Sequence, residues 1–107
     1  MLSLSKNEDL ILLALWQLQD EAHGSTIRTY LCDKTGYEWS IAGVYAPLKR
    51  LASQGLVSTY VGEPTHQREG RCKRHYKLTQ KGLGVLSMSE KVHASMWKDL
   101  PNLSFDG

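Results

Sequence analysis

The sequence predicts a mainly α fold with one small β-hairpin: three helices, two short strands and a closing helix. Three observations lead there. Helical periodicity with capping signals recurs along the 107 residues. A stretch of β-branched and aromatic residues interrupts it after the third helix. Positive charge gathers around that interruption. The length suits one domain with a single modest core.

Ser5, followed three residues later by Glu8, has the pattern of a capping box, so a helix is expected from about Lys6 to Gln19. Its LILLALWQL stretch is apolar nearly all the way round and needs cover on more than one side. The domain's own core can supply one side, and a second chain the other. Asp20, Glu21 and Gly24 mark a break, and a second helix follows from about Ser25 to Lys34, with Ile27 and Leu31 one turn apart and Gly36 as its stop. Ser40 is a good N-cap for a third helix that Gly55 ends. Pro47 inside it removes a hydrogen bond and is expected to kink the helix or open its turn. The spacing predicts a buried stripe of Ile41, Val44, Leu48 and Leu51, an outer face of Ala42, Gly43, Ala46, Lys49 and Arg50, and Tyr45 between the two.

After Gly55, LVSTYV reads as a strand, GEPTHQREG as a hairpin loop and RCKRHYKL as the returning strand. A last helix is expected from Thr79 to about Asp99, with Leu83, Leu86, Met88, Val92, Met96 and Trp97 apolar and Pro101 beyond its end. Gly82 and Gly84 weaken its first turns. This order is that of a winged helix-turn-helix plus a C-terminal helix, in which the third helix enters a DNA groove and the hairpin is the wing. Residues 1–78 are assigned to the winged helix-turn-helix, residues 79–100 to a C-terminal dimerisation helix of the same compact unit, and residues 101–107 to a tail.

Charge is segregated along the chain. Residues 1–39 carry a net −3, residues 40–81 a net +6 and residues 82–107 a net −1. In the returning strand and its flanks, Arg68, Arg71, Lys73, Arg74, Lys77 and Lys81 face a single Glu69. With a period of two, Arg71, Lys73, His75 and Lys77 share one side, and Cys72, Tyr76 and Leu78 the other. Arg74 falls on the apolar side, where it either reaches round the strand edge or pairs with an acid. A basic face of this kind suits a polyanion such as the DNA backbone. A winged-helix protein-interaction module using the basic wing on an acidic partner is the alternative.

Several classes are disfavoured. The longest apolar run, Leu10 to Trp16, is too short to cross a bilayer, and the N-terminus has no signal-peptide pattern, so a cytoplasmic protein without a membrane partner is expected. Cys32 and Cys72 match no CxxC pattern and read as reduced thiols. His66, Cys72 and His75 invite a metal hypothesis, but strand alternation puts Cys72 and His75 on opposite faces among cations, so no metal is assigned. His23 and His93 read as packing or surface residues. There is no phosphate loop, GxSxG, HExxH or apolar carboxylate pair, hence no enzyme and no cofactor is expected. Trp97 reads as packing between helices, with an effector-pocket wall as the other reading.

The residues resemble the PadR-like family of regulators. DEAHGSTIR is similar to the segment that opens their second helix, with His23 where Tyr is usual. GVYAPLKRLASQGLV resembles their recognition helix and following strand, with Pro one position later than in many members. GEPTHQREGRCKRHYKLTQKG is similar to their wing and the entry to the last helix. The resemblance, from about Glu8 to Leu100, implies a homodimeric repressor on a palindromic double-stranded operator. It implies DNA contacts from Ser40, Gly43, Tyr45, Lys49 and Arg50 on the third helix, to which the outer-face reading adds the small Ala42 and Ala46, and from Arg68, Arg71, Lys73 and Arg74 on the wing. The dimer is expected to join the C-terminal helix to the partner's first helix through Leu12, Trp16, Leu86, Val92, Met96 and Trp97. Some members answer to small aromatic effectors, which makes such a ligand an expectation here.

Overall fold

The computed structural model describes residues 4–62 and 73–99; His66, Arg68, Arg71 and Cys72, together with Pro101, lie outside the described residues. In chain order the elements are α1 (Lys6–Leu18), a 3-10 turn (Gln19–Glu21), α2 (Gly24–Thr35), α3 (Ile41–Ser53), β1 (Val57–Val61), β2 (Arg74–Leu78) and α4 (Gln80–Lys98). The architecture is the expected one, mostly helical with a two-stranded antiparallel hairpin and a C-terminal helix.

The capping chemistry explains the helix starts. Ser5 Oγ accepts from the Glu8 amide at 3.1 Å while the Ser5 amide donates to Glu8 Oε1 at 2.8 Å, satisfying two otherwise unpaired N–H groups of α1. Ser40 Oγ accepts from the Gly43 amide at 2.9 Å, and Thr79 Oγ1 from the Gly82 amide at 3.0 Å. Gly36 and Gly55 follow α2 and α3 with φ of 78° and 77°, a left-handed conformation that a Cβ disfavours.

One core unites the elements. Ile11, Leu12 and Leu15 of α1 meet Ile27 and Leu31 of α2, Val44, Leu48 and Leu51 of α3, and Leu56, Val57, Tyr76 and Leu86 beyond them. Trp39 seals the turn between α2 and α3, its indole N–H donating to Thr35 Oγ1 at 3.1 Å and its carbonyl accepting from Arg28 Nε at 2.6 Å.

Two expectations need correction, on Ile41 and on Leu12 with Leu86, and one bridge adds to the expected hairpin. Ile41 does not belong to the buried stripe of α3: it is 64% exposed, and Pro47 takes the inward place beside Val44, Leu48 and Leu51. Residues three apart on a helix are rotated by about 60°, so a stripe shifted toward Pro47 leaves Ile41 outside. The helix continues through Pro47. Leu12 and Leu86 are buried in the protomer itself and have almost no surface to offer a second chain. The sheet also has an extra strand-like segment, because His23 bridges His75 and the Tyr76 amide donates to the Ala22 carbonyl at 2.9 Å. A two-residue bridge has no hydrophobic period by which to be read.

The start of α4 is clamped to the junction of α3 and β1. The Thr79 hydroxyl donates to the Gly55 carbonyl at 2.7 Å and Lys81 Nζ to the Gln54 carbonyl at 3.1 Å. Gly82 lies directly on the Leu56 carbonyl, where a Cβ would collide with backbone. Helix propensity alone predicts that Gly82→Ala stabilises the chain by about 1 kcal/mol. The contact with Leu56 predicts the opposite sign, a loss of about 1–3 kcal/mol in urea unfolding.

Candidate nucleic-acid interface

Tyr45 organises the outer side of α3. Its ring lies over Gly24 at the start of α2, in space that a Cβ on Gly24 would fill. Tyr45 also neighbours Tyr76 of β2, and Arg74 approaches Tyr76 as well. Burial, then Tyr45, push the Tyr76 phenol above its ordinary range while Arg74 pulls it down. One aromatic side chain therefore ties the exposed side of α3 to the N-terminus of α2.

The exposed side of α3 carries Ile41, Ala42, Tyr45, Ala46, Lys49 and Arg50, with Ser40 exposed ahead of it and Gly43 half-buried. Lys49 points to solvent. Arg50 is engaged: its Nε lies 3.5 Å from Oε2 of Glu8, a nearly buried carboxylate. The Ser5 amide, with a smaller contribution from Arg50, holds the Glu8 carboxyl below its usual range against the opposing effect of burial. The guanidinium of Arg50 is more than half exposed, so the pair adds at most a few tenths to about 1 kcal/mol.

On the wing, Lys73, Arg74 and Lys77 are exposed, and Tyr76 faces the core. Arg74 lies on the Tyr76 side and reaches across the hairpin to Thr59 Oγ1 at 3.5 Å, so it turns toward β1. His75 differs from a plain member of a basic face. It is half-buried, stacked on Tyr60 with ring centroids 5.2 Å apart, edge-on to His23 at 5.5 Å, and close under Gly62. Tyr60, His75 and His23 thus form an aromatic row across the three paired segments. The pairing of Tyr60 with His75 could be inferred from hairpin register, whereas His23 could not.

Among the described residues no cluster of three or more His, Cys, Asp or Glu side chains is placed to hold a metal ion. No helix of the described residues is long and apolar enough to cross a membrane.

Comparison with family descriptions matches residues 11–88 to the transcriptional regulator PadR-like family. The chain belongs to the PadR-like family of transcriptional regulators. Solved structures agree with this. A PadR family regulator from Eggerthella lenta is 27% identical with a TM-score of 0.65, over 83% of this chain and 75% of that one. A PadR-like transcription factor from Bacteroides fragilis is 25% identical with a TM-score of 0.69, over 85% and 82%. A PadR family regulator from Clostridium difficile, at 21% identity, shares the fold with a TM-score of 0.70 over 88% and 93%. Comparison with curated proteins finds no match.

Within this PadR-like frame, His23 introduces a titratable group between α2 and the wing. Burial, then Lys73 and His75, push its pKa below the ordinary 6.5, with Glu21 acting the other way. The folded chain therefore holds this proton less tightly than the unfolded chain does. The associated stability is whole above about pH 6.5 and is lost as pH falls through and below that value. Urea midpoints should drop between pH 7.5 and 5.5, and His23→Tyr should reduce the drop. Parallel declines in the two proteins would exonerate His23.

Proposed function

We propose that this PadR-like regulator is a sequence-specific double-stranded DNA-binding repressor that works as a homodimer on a palindromic operator. The observation that carries the reading is the Tyr45 seat on Gly24. It braces the uncovered side of α3 against the start of α2, and the exposed cations Lys49, Lys73 and Arg74 supply phosphate-neutralising charge to the proposed complex. Small Ala42, Gly43 and Ala46 let the helix backbone approach base edges, and Lys49 is within reach of phosphates or guanine edges. In the proposed complex the two α3 helices enter successive major grooves, roughly 34 Å apart. Arg68 and Arg71 of the wing remain part of the proposal. Arg50 contributes less than its charge suggests, because Glu8 holds it.

The dimer is proposed to form over the groove between α1 and α4. Leu10, Leu13, Val85, Met88 and Val92 line that groove, and Leu13, Met88 and Val92 are solvent-exposed. The same groove contains Asp9, whose buried Oδ1 has no hydrogen-bond partner among the described residues, an arrangement that invites a donor from outside. Trp16 borders a separate small depression with Lys77 and Leu78, so its place in the interface is weaker. Met96 and Trp97, 66% and 60% exposed at the far end of α4, offer apolar surface to a partner or to a small aromatic effector.

Binding should fall steeply with salt. Replacing Lys49 and Lys73 by Ala should weaken binding to every duplex and flatten the log–log salt slope by about two units. An unchanged slope in a gel-shift series would remove these lysines from the interface, and no binding to any duplex, but capture of an acidic protein, would favour the interaction-module alternative. For the dimer, sedimentation of a Val92→Glu, Trp97→Ala double variant should show half the parent mass. An unchanged mass would take both residues out of the contact.

A further inference from the structure

The leading end of α3 is chemically unusual for a helix meant to read bases. Its first two turns expose Ile41, Ala42, Tyr45 and Ala46, and none of these bears an amide, guanidinium or carboxylate. The Ser40 hydroxyl oxygen is occupied by the Gly43 amide, and the Tyr45 hydroxyl end lies against Gly24. The first ionised side chain on this face is Lys49, two turns along, and Arg50 beside it leans to Glu8. Bidentate hydrogen-bond readout of adenine or guanine, which needs a forked donor or amide, has no residue to perform it at this end.

What the end does offer is aliphatic surface. Ile41 is 64% exposed, among the described residues the most exposed large hydrophobic side chain outside the C-terminal end of α4, and small Ala42 and Ala46 flank it without covering it. Lys49 on the same side of α3 and Lys73 and Arg74 at the wing are exposed cations, so on the DNA-binding reading the partner is anionic and must present an apolar group where Ile41 lands. In the B-DNA major groove the one apolar group at a base edge is the C5-methyl of thymine. We propose that Ile41 is a specificity-determining residue that reads thymine by covering this methyl group, so that the operator half-site carries thymine where the start of α3 lands. The proposal rests on the DNA-binding reading above and adds to it which chemical group is read and by which side chain.

The test uses the whole protein and a duplex selected with it from a random pool. Each thymine is replaced singly by deoxyuridine, which deletes only the methyl group, and affinity is followed by fluorescence anisotropy. At one or two thymines per half-site the parent protein should lose about fourfold in affinity, the worth of one buried methyl group. Ile41→Ala should bind the unmodified duplex less tightly and lose less than about twofold on the same replacement, while Ile41→Val keeps most of the discrimination. The salt slope should be the same in all three proteins, since no phosphate contact changes. Absence of any sensitive thymine in the parent, or an equal loss in Ile41→Ala, would overturn the assignment and leave salt-dependent DNA binding standing. Failure of the parent to select or bind any duplex would overturn both readings. Because Ile41 is exposed, melting of the variants should match the parent, and circular dichroism checks this.

Discussion

The structure depends on the place where a tyrosine lies on a glycine. Tyr45 needs the gap left by the missing side chain of Gly24, and from there it neighbours Tyr76 on the returning strand. Core packing of Val44, Leu48 and Leu51 sets the depth of α3, but a buried stripe alone leaves a helix free to adjust about its axis. The contact of Tyr45 with Gly24 removes that freedom. It also fixes the exposed side of α3 against the start of α2, and the proposed DNA-binding role rests on that side.

Cations are plentiful in the middle of the chain, but they are not equivalent. Arg50 leans to Glu8, itself oriented by the capping box of α1, and Lys81 donates to the carbonyl of Gln54 just after α3. Both serve the packing of helices. Lys49, Lys73, Arg74 and Lys77 remain exposed on α3 and β2. The row of Tyr60, His75 and His23 joins the wing to the entrance of α2 and places there a histidine whose pKa burial lowers. Nearness in sequence to a basic cluster therefore says little about which cations are available to a polyanion. What each cation touches says more.

Much of the fold was legible in the sequence because local chemistry marks it. Ser5 with Glu8, Ser40 and Thr79 announce helix starts, Gly36 and Gly55 announce ends, and the β-branched run after Gly55 announces the hairpin. The unread parts are those decided by tertiary contact. Ile41 fits a buried period until Pro47 takes the inward position. Leu12 looks available to a second chain until α2 and α3 close over it. Arg50 looks free until Glu8, 42 residues earlier, is found beside it. The Tyr45 seat has a local signal on each side, a glycine after His23 and a tyrosine inside α3, but nothing local says that the two meet.

Amide-resonance mapping of the uniformly labelled protein, titrated with duplex DNA at moderate salt, tests the central claim most directly. A single surface held together by Tyr45 predicts concerted shifts at the start of α2, along Ser40 to Lys49 and from Lys73 to Lys77, all following one binding curve. Shifts confined to the α1–α4 groove, or wing and α3 signals that saturate at different DNA concentrations, would contradict it.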